Sequence, residues 1–124
     1  MDIDTINVIV LAYMGDAVYD TYIRKKLIGL GIQKVEELRN KAIEYVSAKG
    51  QVKILNYLIN NNILSDEELD IVKRGRNNKR SSHPKNTDIL TYKLSTGFEA
   101  LIGYLYLSNK IDRLEEILSF IEVR

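Results

Sequence analysis

Across residues 98–107, FEALIGYLYL, every position is apolar or glycine except Glu99. Such a stretch can only be a helix buried nearly all round that carries one carboxylate into the interior. Taking an ion out of water costs roughly several kcal/mol even after relaxation. Glu99 therefore needs a partner: a countercharge, hydrogen-bond donors, a proton or a bound cation. A matching anomaly lies near the start, where residues 5–19 (TINVIVLAYMGDAVY) hold Asp16 as their sole charged residue. Two apolar helices with one acid each predict a site between them.

A chain of 124 residues can bury a core without staples, and one domain spanning residues 1–124 is expected. The absence of cysteine excludes disulfides and thiolate metal sites and fits a reducing, cytoplasmic setting. The apolar run at residues 8–12 is too short to cross a bilayer and lacks the basic leader of a signal peptide, so no membrane partner is expected. A net charge of +1 says little by itself; its distribution says more. Six of the 18 Lys and Arg residues (Lys73, Arg74, Arg76, Lys79, Arg80 and Lys85) fall within residues 73–85, with His83 among them and no acid.

Taken in order, residues 4–28 read as helix, kinked near Gly15, with Ile6, Ile9, Val10, Tyr13, Ala17 and Tyr22 at helical spacing and Gly29 and Gly31 as the stop. Residues 35–58 read as two amphipathic helices or one bent at Gly50, followed by a turn at Asn60, Asn61 and Asn62. Ser65 with Glu68 forms the capping box of a further helix. Residues 75–86, GRNNKRSSHPKN, describe an exposed loop containing the only proline, Pro84. Asn86 or Thr87 can cap the helix that contains Glu99, and a last amphipathic helix holds Ile111, Leu114, Ile117, Leu118 and Ile121. No stretch alternates at period two long enough to demand a strand, so the fold class is all-α.

Asp16 and Glu99, if brought together, make an all-oxygen site suited to Mg²⁺ or Mn²⁺. Asp20, one turn beyond Asp16, could join them. The bland alternative is that Asp16 caps a helix after a break at Gly15, and that Glu99 closes a capping box with Thr96. The basic segment suits phosphate contacts, which hold a nucleic-acid backbone without reading sequence; its alternative is a solvated loop. Together, the carboxylates and the basic segment point to hydrolysis of a phosphodiester. A single histidine excludes a His-rich zinc site and argues against a Ser-His triad. Tyr13, Tyr19, Tyr22, Tyr104 and Tyr106 are expected in the core with their hydroxyls at an edge.

LAYMGDAVY at residues 11–19 resembles the signature helix of the ribonuclease III catalytic domain, and FEALIGYLYL resembles that family's second acidic helix. The short length, with RGRN (residues 74–77), PKNTD (84–88) and VSAKGQ (46–51), is similar to the Mini-ribonuclease III subgroup, which lacks a double-stranded-RNA-binding domain. The resemblance implies that Asp16 and Glu99 are catalytic metal ligands. Two further acids usual in the family are replaced by Ala12 and Thr96, which implies a single tightly held Mg²⁺ with Ser95 or Thr96 at most touching its water shell.

The resemblance further implies a homodimer, with Tyr13 packing into a socket of the partner, and double-stranded RNA lying across both active sites. Arg74, Arg76, Lys79, Arg80 and Lys85 are then the expected RNA contacts, reaching a duplex whose shallow minor groove is recognised by shape and backbone. The implied activity is in-line hydrolysis leaving a 5′ phosphate and a 3′ hydroxyl, in the maturation of large-subunit ribosomal RNA precursor, with a ribosomal protein as a possible helper. The missing acids motivate a different reading, a catalytically silent RNA-binding or ribosome-assembly factor. A weaker third is a helical interaction protein with no RNA role.

Overall fold

The computed structural model describes residues 1–79 and 88–124. Arg80, His83, Pro84, Lys85, Asn86 and Thr87 lie outside the described residues. Within them all regular structure is helical: a 3₁₀ turn at Ile3–Thr5, then α1 (Val8–Gly29), α2 (Val35–Val46), α3 (Ala48–Asn60), α4 (Asp66–Arg76), α5 (Ile89–Leu107) and α6 (Ile111–Leu118). The all-α expectation is met. No described helix is long and apolar enough to cross a membrane.

Helix α5 is the axis on which the others pack. Its N-cap is Asp88, whose Oδ1 accepts from the Thr91 backbone N–H at 2.9 Å. A carboxylate there both satisfies an end donor and complements the helix dipole, so Asp88 caps the helix in place of the expected Asn86 or Thr87. From Ser95 to Leu105 nearly every residue is buried, while Glu99 is half-buried and Tyr106 is 42 % exposed. Phe98 packs edge-on to Tyr19 of α1 with ring centres 5.1 Å apart.

Helix α1 begins at Val8, capped by Asn7, and runs unbroken through Gly15. The expected kink does not occur. Gly15 is there because α5 approaches too closely for a side chain. A Cβ on Gly15 would lie 1.7 Å from the Glu99 carbonyl oxygen, and one on Gly103 would lie 1.8 Å from that of Leu11. Each glycine seats the other helix's backbone, which outweighs the roughly 0.5–1 kcal/mol that glycine costs inside a helix.

This crossing also decides which face of α1 is buried. Val8, Leu11, Ala12, Gly15, Val18, Tyr19, Ile23 and Leu27 face inward, whereas Tyr13 is 82 % and Val10 53 % exposed. The expected stripe through Val10, Tyr13 and Ala17 is the outer face. A helix apolar on almost every side offers no amphipathic signal to choose between faces, and Tyr13 and Tyr106 are accordingly not core residues.

The break between α2 and α3 falls at Ser47 rather than Gly50. Ser47 ends α2 in an extended conformation and caps α3, its Oγ accepting from the Gly50 N–H at 3.1 Å. Gly50 lies inside the first turn of α3, where a Cβ would come within 2.2 Å of the Glu44 carbonyl oxygen. Helix α4 opens on the expected capping box of Ser65 and Glu68 and retains Gly75 and Arg76, so the non-helical segment starts later than residue 75. A second glycine contact docks α4 on α5: a Cβ on Gly75 would lie 2.8 Å from the Gly97 Cα.

Candidate active site

The Gly15–Gly103 crossing fixes the positions of both acids. Asp16 follows Gly15 directly, and the carbonyl that Gly15 rests on belongs to Glu99. The two carboxyl groups come within hydrogen-bonding reach of each other. Neither carboxylate forms an ion pair among the described residues. Burial, then the hydrogen bond with Asp16, then the Asp16 charge push the Glu99 carboxyl from 4.5 up to about 8; only a hydrogen bond from Gln51 acts the other way. Two abutting carboxylates without a cation must retain a proton.

Both bland alternatives fail here. Asp16 lies inside an unbroken helix rather than at a cap, and Thr96 is in the middle of α5, seven residues beyond its start at Ile89. Asp20 does not join the pair: its Oδ2 accepts from Arg24 Nε at 2.9 Å. At the two positions where the family would place further acids, Ala12 is buried in a small cluster with Val8, Leu11, Ile71 and Ala100, and the Thr96 hydroxyl donates to the Tyr92 carbonyl at 3.0 Å. Ser95 donates to the same carbonyl at 2.8 Å. No group of three or more acidic, His or Cys side chains forms a metal cage among the described residues.

One residue at the site was missed from sequence. Gln51, only 2 % exposed, donates from Nε2 to Glu99 Oε2 at 3.3 Å. A signal was available, because Gln51 shares the buried face of α3 with Leu55 and Leu58. An amide on an apolar stripe asks for a polar partner elsewhere in the fold.

The donor set would fit a hard cation: carboxylate oxygens, with no cationic side chain paired with them among the described residues. The basic residues lie at the other glycine contact. Because Gly75 rests on Gly97, two residues before Glu99, Arg74 and Arg76 are carried on the turn of α4 that packs beside the acidic stretch of α5. Arg74 and Lys79 are exposed, and Arg76 is partly buried with its Nε donating to Asn77 Oδ1 at 3.1 Å. Arg80 and Lys85, expected in the same patch, are outside the described residues.

Known proteins resemble this chain in sequence and in fold. The Ribonuclease III domain family matches residues 9–110. The Mini-ribonuclease 3 of Streptococcus pneumoniae is 43 % identical over 120 residues, covering 97 % of this chain and 94 % of its own length. That of Brevibacillus brevis is 50 % identical over 111 residues, covering 90 % and 81 %. A crystal structure of a Fusobacterium nucleatum protein superposes with a TM-score of 0.82 at 31 % identity, covering 92 % of this chain and 91 % of that one. The chain belongs to the ribonuclease III family and is an endoribonuclease.

Proposed function

We propose that residues 1–124 act as one catalytic domain, a Mg²⁺-dependent endonuclease of double-stranded RNA in which Asp16 and Glu99 are both catalytic residues and metal ligands, with Mn²⁺ able to substitute. One observation carries the reading: the half-buried Glu99 carboxyl meets the exposed Asp16 carboxyl at the α1–α5 crossing, with no basic partner for either among the described residues. Folding does not favour such a pair unless a cation is to be held.

A bound Mg²⁺ supplies Lewis-acid activation of water and neutralises charge that develops on the leaving 3′ oxygen. The chain's own groups do the rest. Asp16, on the exposed side of the pair, and Glu99, half-buried behind it, present their oxygens from two helices locked backbone to backbone. The apolar wall of α5 strengthens the field at the pair by keeping bulk water away. Arg74, Arg76 and Lys79, with Arg80 and Lys85 further along the chain, hold the polyanionic backbone on either side of the scissile bond. Hydrolysis then leaves a 5′ phosphate and a 3′ hydroxyl.

The same reading extends to a homodimer. The outer face of α1 leaves Tyr13 82 % and Val10 53 % exposed, a large aromatic and a branched aliphatic side by side where a partner would cover them. Two copies would align two active sites along one duplex. Maturation of 23S ribosomal RNA precursor in the cytoplasm, with or without help from a ribosomal protein, is the proposed task.

The test is incubation of the protein with a long RNA duplex in Mg²⁺, in Mn²⁺ and in chelator. Cutting in both metals, absent in chelator and absent for Asp16→Asn, is expected. Tight binding without cutting in any divalent ion would instead establish a silent assembly factor. Replacing Arg74 and Arg76 by Ala should weaken RNA binding and lower the slope of log affinity against log salt by about one for each phosphate no longer neutralised. Tyr13→Asp should shift sedimentation from dimer to monomer.

A further inference from the structure

We propose that Gln51 is a positioning residue for the cation site: its amide fixes the Glu99 carboxylate in the orientation that faces Asp16, and thereby sets the affinity for the divalent cation. This rests on the reading of Asp16 and Glu99 as cation ligands.

The local fold is built to deliver this one side chain. Ser47 turns the chain sharply between α2 and α3, and Gly50 lets the first turn of α3 slide against the Glu44 carbonyl, where a Cβ would lie 2.2 Å away. Gln51, the next residue, is carried beneath the end of α2. Its Nε2 donates to the Val46 carbonyl and to Glu99 Oε2, each at 3.3 Å. Val46 is the last residue of α2, where carbonyls lack partners within the helix. With Glu99 ionised, as a cation ligand must be, both groups facing Nε2 are acceptors and the amide presents its N–H₂ to them. Gln51 thus ties the carboxylate of α5 to the backbone of α2.

The other half of the amide makes glutamine a poor choice here on stability alone. Its Oε1 is buried and has no hydrogen-bond partner among the described residues. An unmet buried acceptor disfavours folding, whereas an apolar side chain of similar shape would be neutral or better. The position lies on the stripe of Leu55 and Leu58, where methionine or leucine would extend the core. What the amide offers is its Nε2 donor on Glu99 Oε2, an outer hydrogen bond to a carboxylate that would ligate the cation. Outer hydrogen bonds of this kind orient metal ligands and commonly change metal affinity by about 10–100-fold.

The experiment is calorimetric titration of the full chain with Mn²⁺ in the absence of RNA, for wild type, Gln51→Met, Gln51→Leu and Glu99→Gln, with thermal melts of the metal-free proteins alongside. Both Gln51 variants should bind Mn²⁺ about 10–100-fold more weakly and melt at or above the wild-type temperature. Their cleavage of duplex RNA should need correspondingly more Mg²⁺ for half-maximal rate, while the rate at saturating Mg²⁺ changes far less. Unchanged Mn²⁺ affinity in the Gln51 variants, with binding lost in Glu99→Gln, overturns the Gln51 assignment and leaves the cation site standing. Melting well below wild type in both variants also overturns it, because the amide then serves the fold. Mn²⁺ binding unaffected by Glu99→Gln overturns the site reading, and the role of Gln51 with it.

Discussion

Two glutamates enter the interior of this protein and meet opposite surroundings. Glu68, in the first turn of α4, is 6 % exposed and completely answered. Its Oε1 accepts from the Ser65 backbone N–H at 2.8 Å and from an Arg113 guanidinium nitrogen at 2.7 Å, and its Oε2 accepts from Arg113 Nε at 2.8 Å. Burial pushes this carboxyl up, but the Arg113 and Ser65 hydrogen bonds outweigh it and hold the group below its ordinary value. Glu99, on α5, faces a second carboxylate and a single amide, and is pushed up to about 8. A buried acid with its full set of donors is part of the fold, here tying α4 to α6. A buried acid set against its own kind is the feature on which the proposed cation site rests.

The contrast can be broken first at its structural end. Glu68→Gln leaves Arg113 without its bidentate partner and should lower unfolding free energy by about 3 kcal/mol, the low end for a broken buried pair because Arg113 keeps contact with water. A urea titration with parallel cleavage assays checks it, and the residual folded enzyme should cut normally. Next, Gly103→Ala drives a methyl into the Leu11 carbonyl, 1.8 Å away. The helices must part, at a cost of about 1–3 kcal/mol. Unlike Glu68→Gln, this variant should lose activity even where it remains folded, because Asp16 and Glu99 separate with the helices.

The smallest effect distinguishes the glutamates by the sign of their pH dependence. Glu99 has a folded pKa above its unfolded one, so the metal-free protein has the full benefit of this group below about pH 4.5 and loses it as pH rises through about 8. Glu68 is lowered on folding, so its contribution is present above its unfolded value and lost as pH falls through the folded one. Melting temperature without metal should therefore decline from pH 6 to pH 9, and Mg²⁺ should reverse the decline because it replaces the proton. In Glu99→Gln the decline should flatten; a slope of equal size would show that another group carries it.

The two acids were legible in the sequence because each was the one charge in an apolar run, and residue type alone makes that conspicuous. The capping box at Ser65 was legible for the same local reason. What was not legible depended on backbone approaching backbone. Gly15 reads as a helix break in one dimension and proves to be a contact in three. The choice between the Tyr13 face and the Leu11 face of α1 could not be made from a helix apolar on both. Gln51 required knowing that the bend at Ser47 brings α3 beneath α5, a juxtaposition 48 residues apart in the chain. Arg113, the partner of Glu68 from 45 residues away, was hidden for the same reason.

The measurement that tests the central claim most directly is single-turnover cleavage of an RNA duplex at saturating Mg²⁺ by wild type and Glu99→Gln, with each protein's melting temperature taken from the same preparation. Loss of a ligand that contributes several kcal/mol to the transition state should slow cutting by about a thousandfold or more, while the melting temperature of the metal-free protein holds or rises because the amide removes the repulsion between two abutting carboxyl groups. Wild-type cleavage by a well-folded Glu99→Gln, or a variant that fails only because it no longer folds, would contradict the assignment of Glu99 to the chemistry.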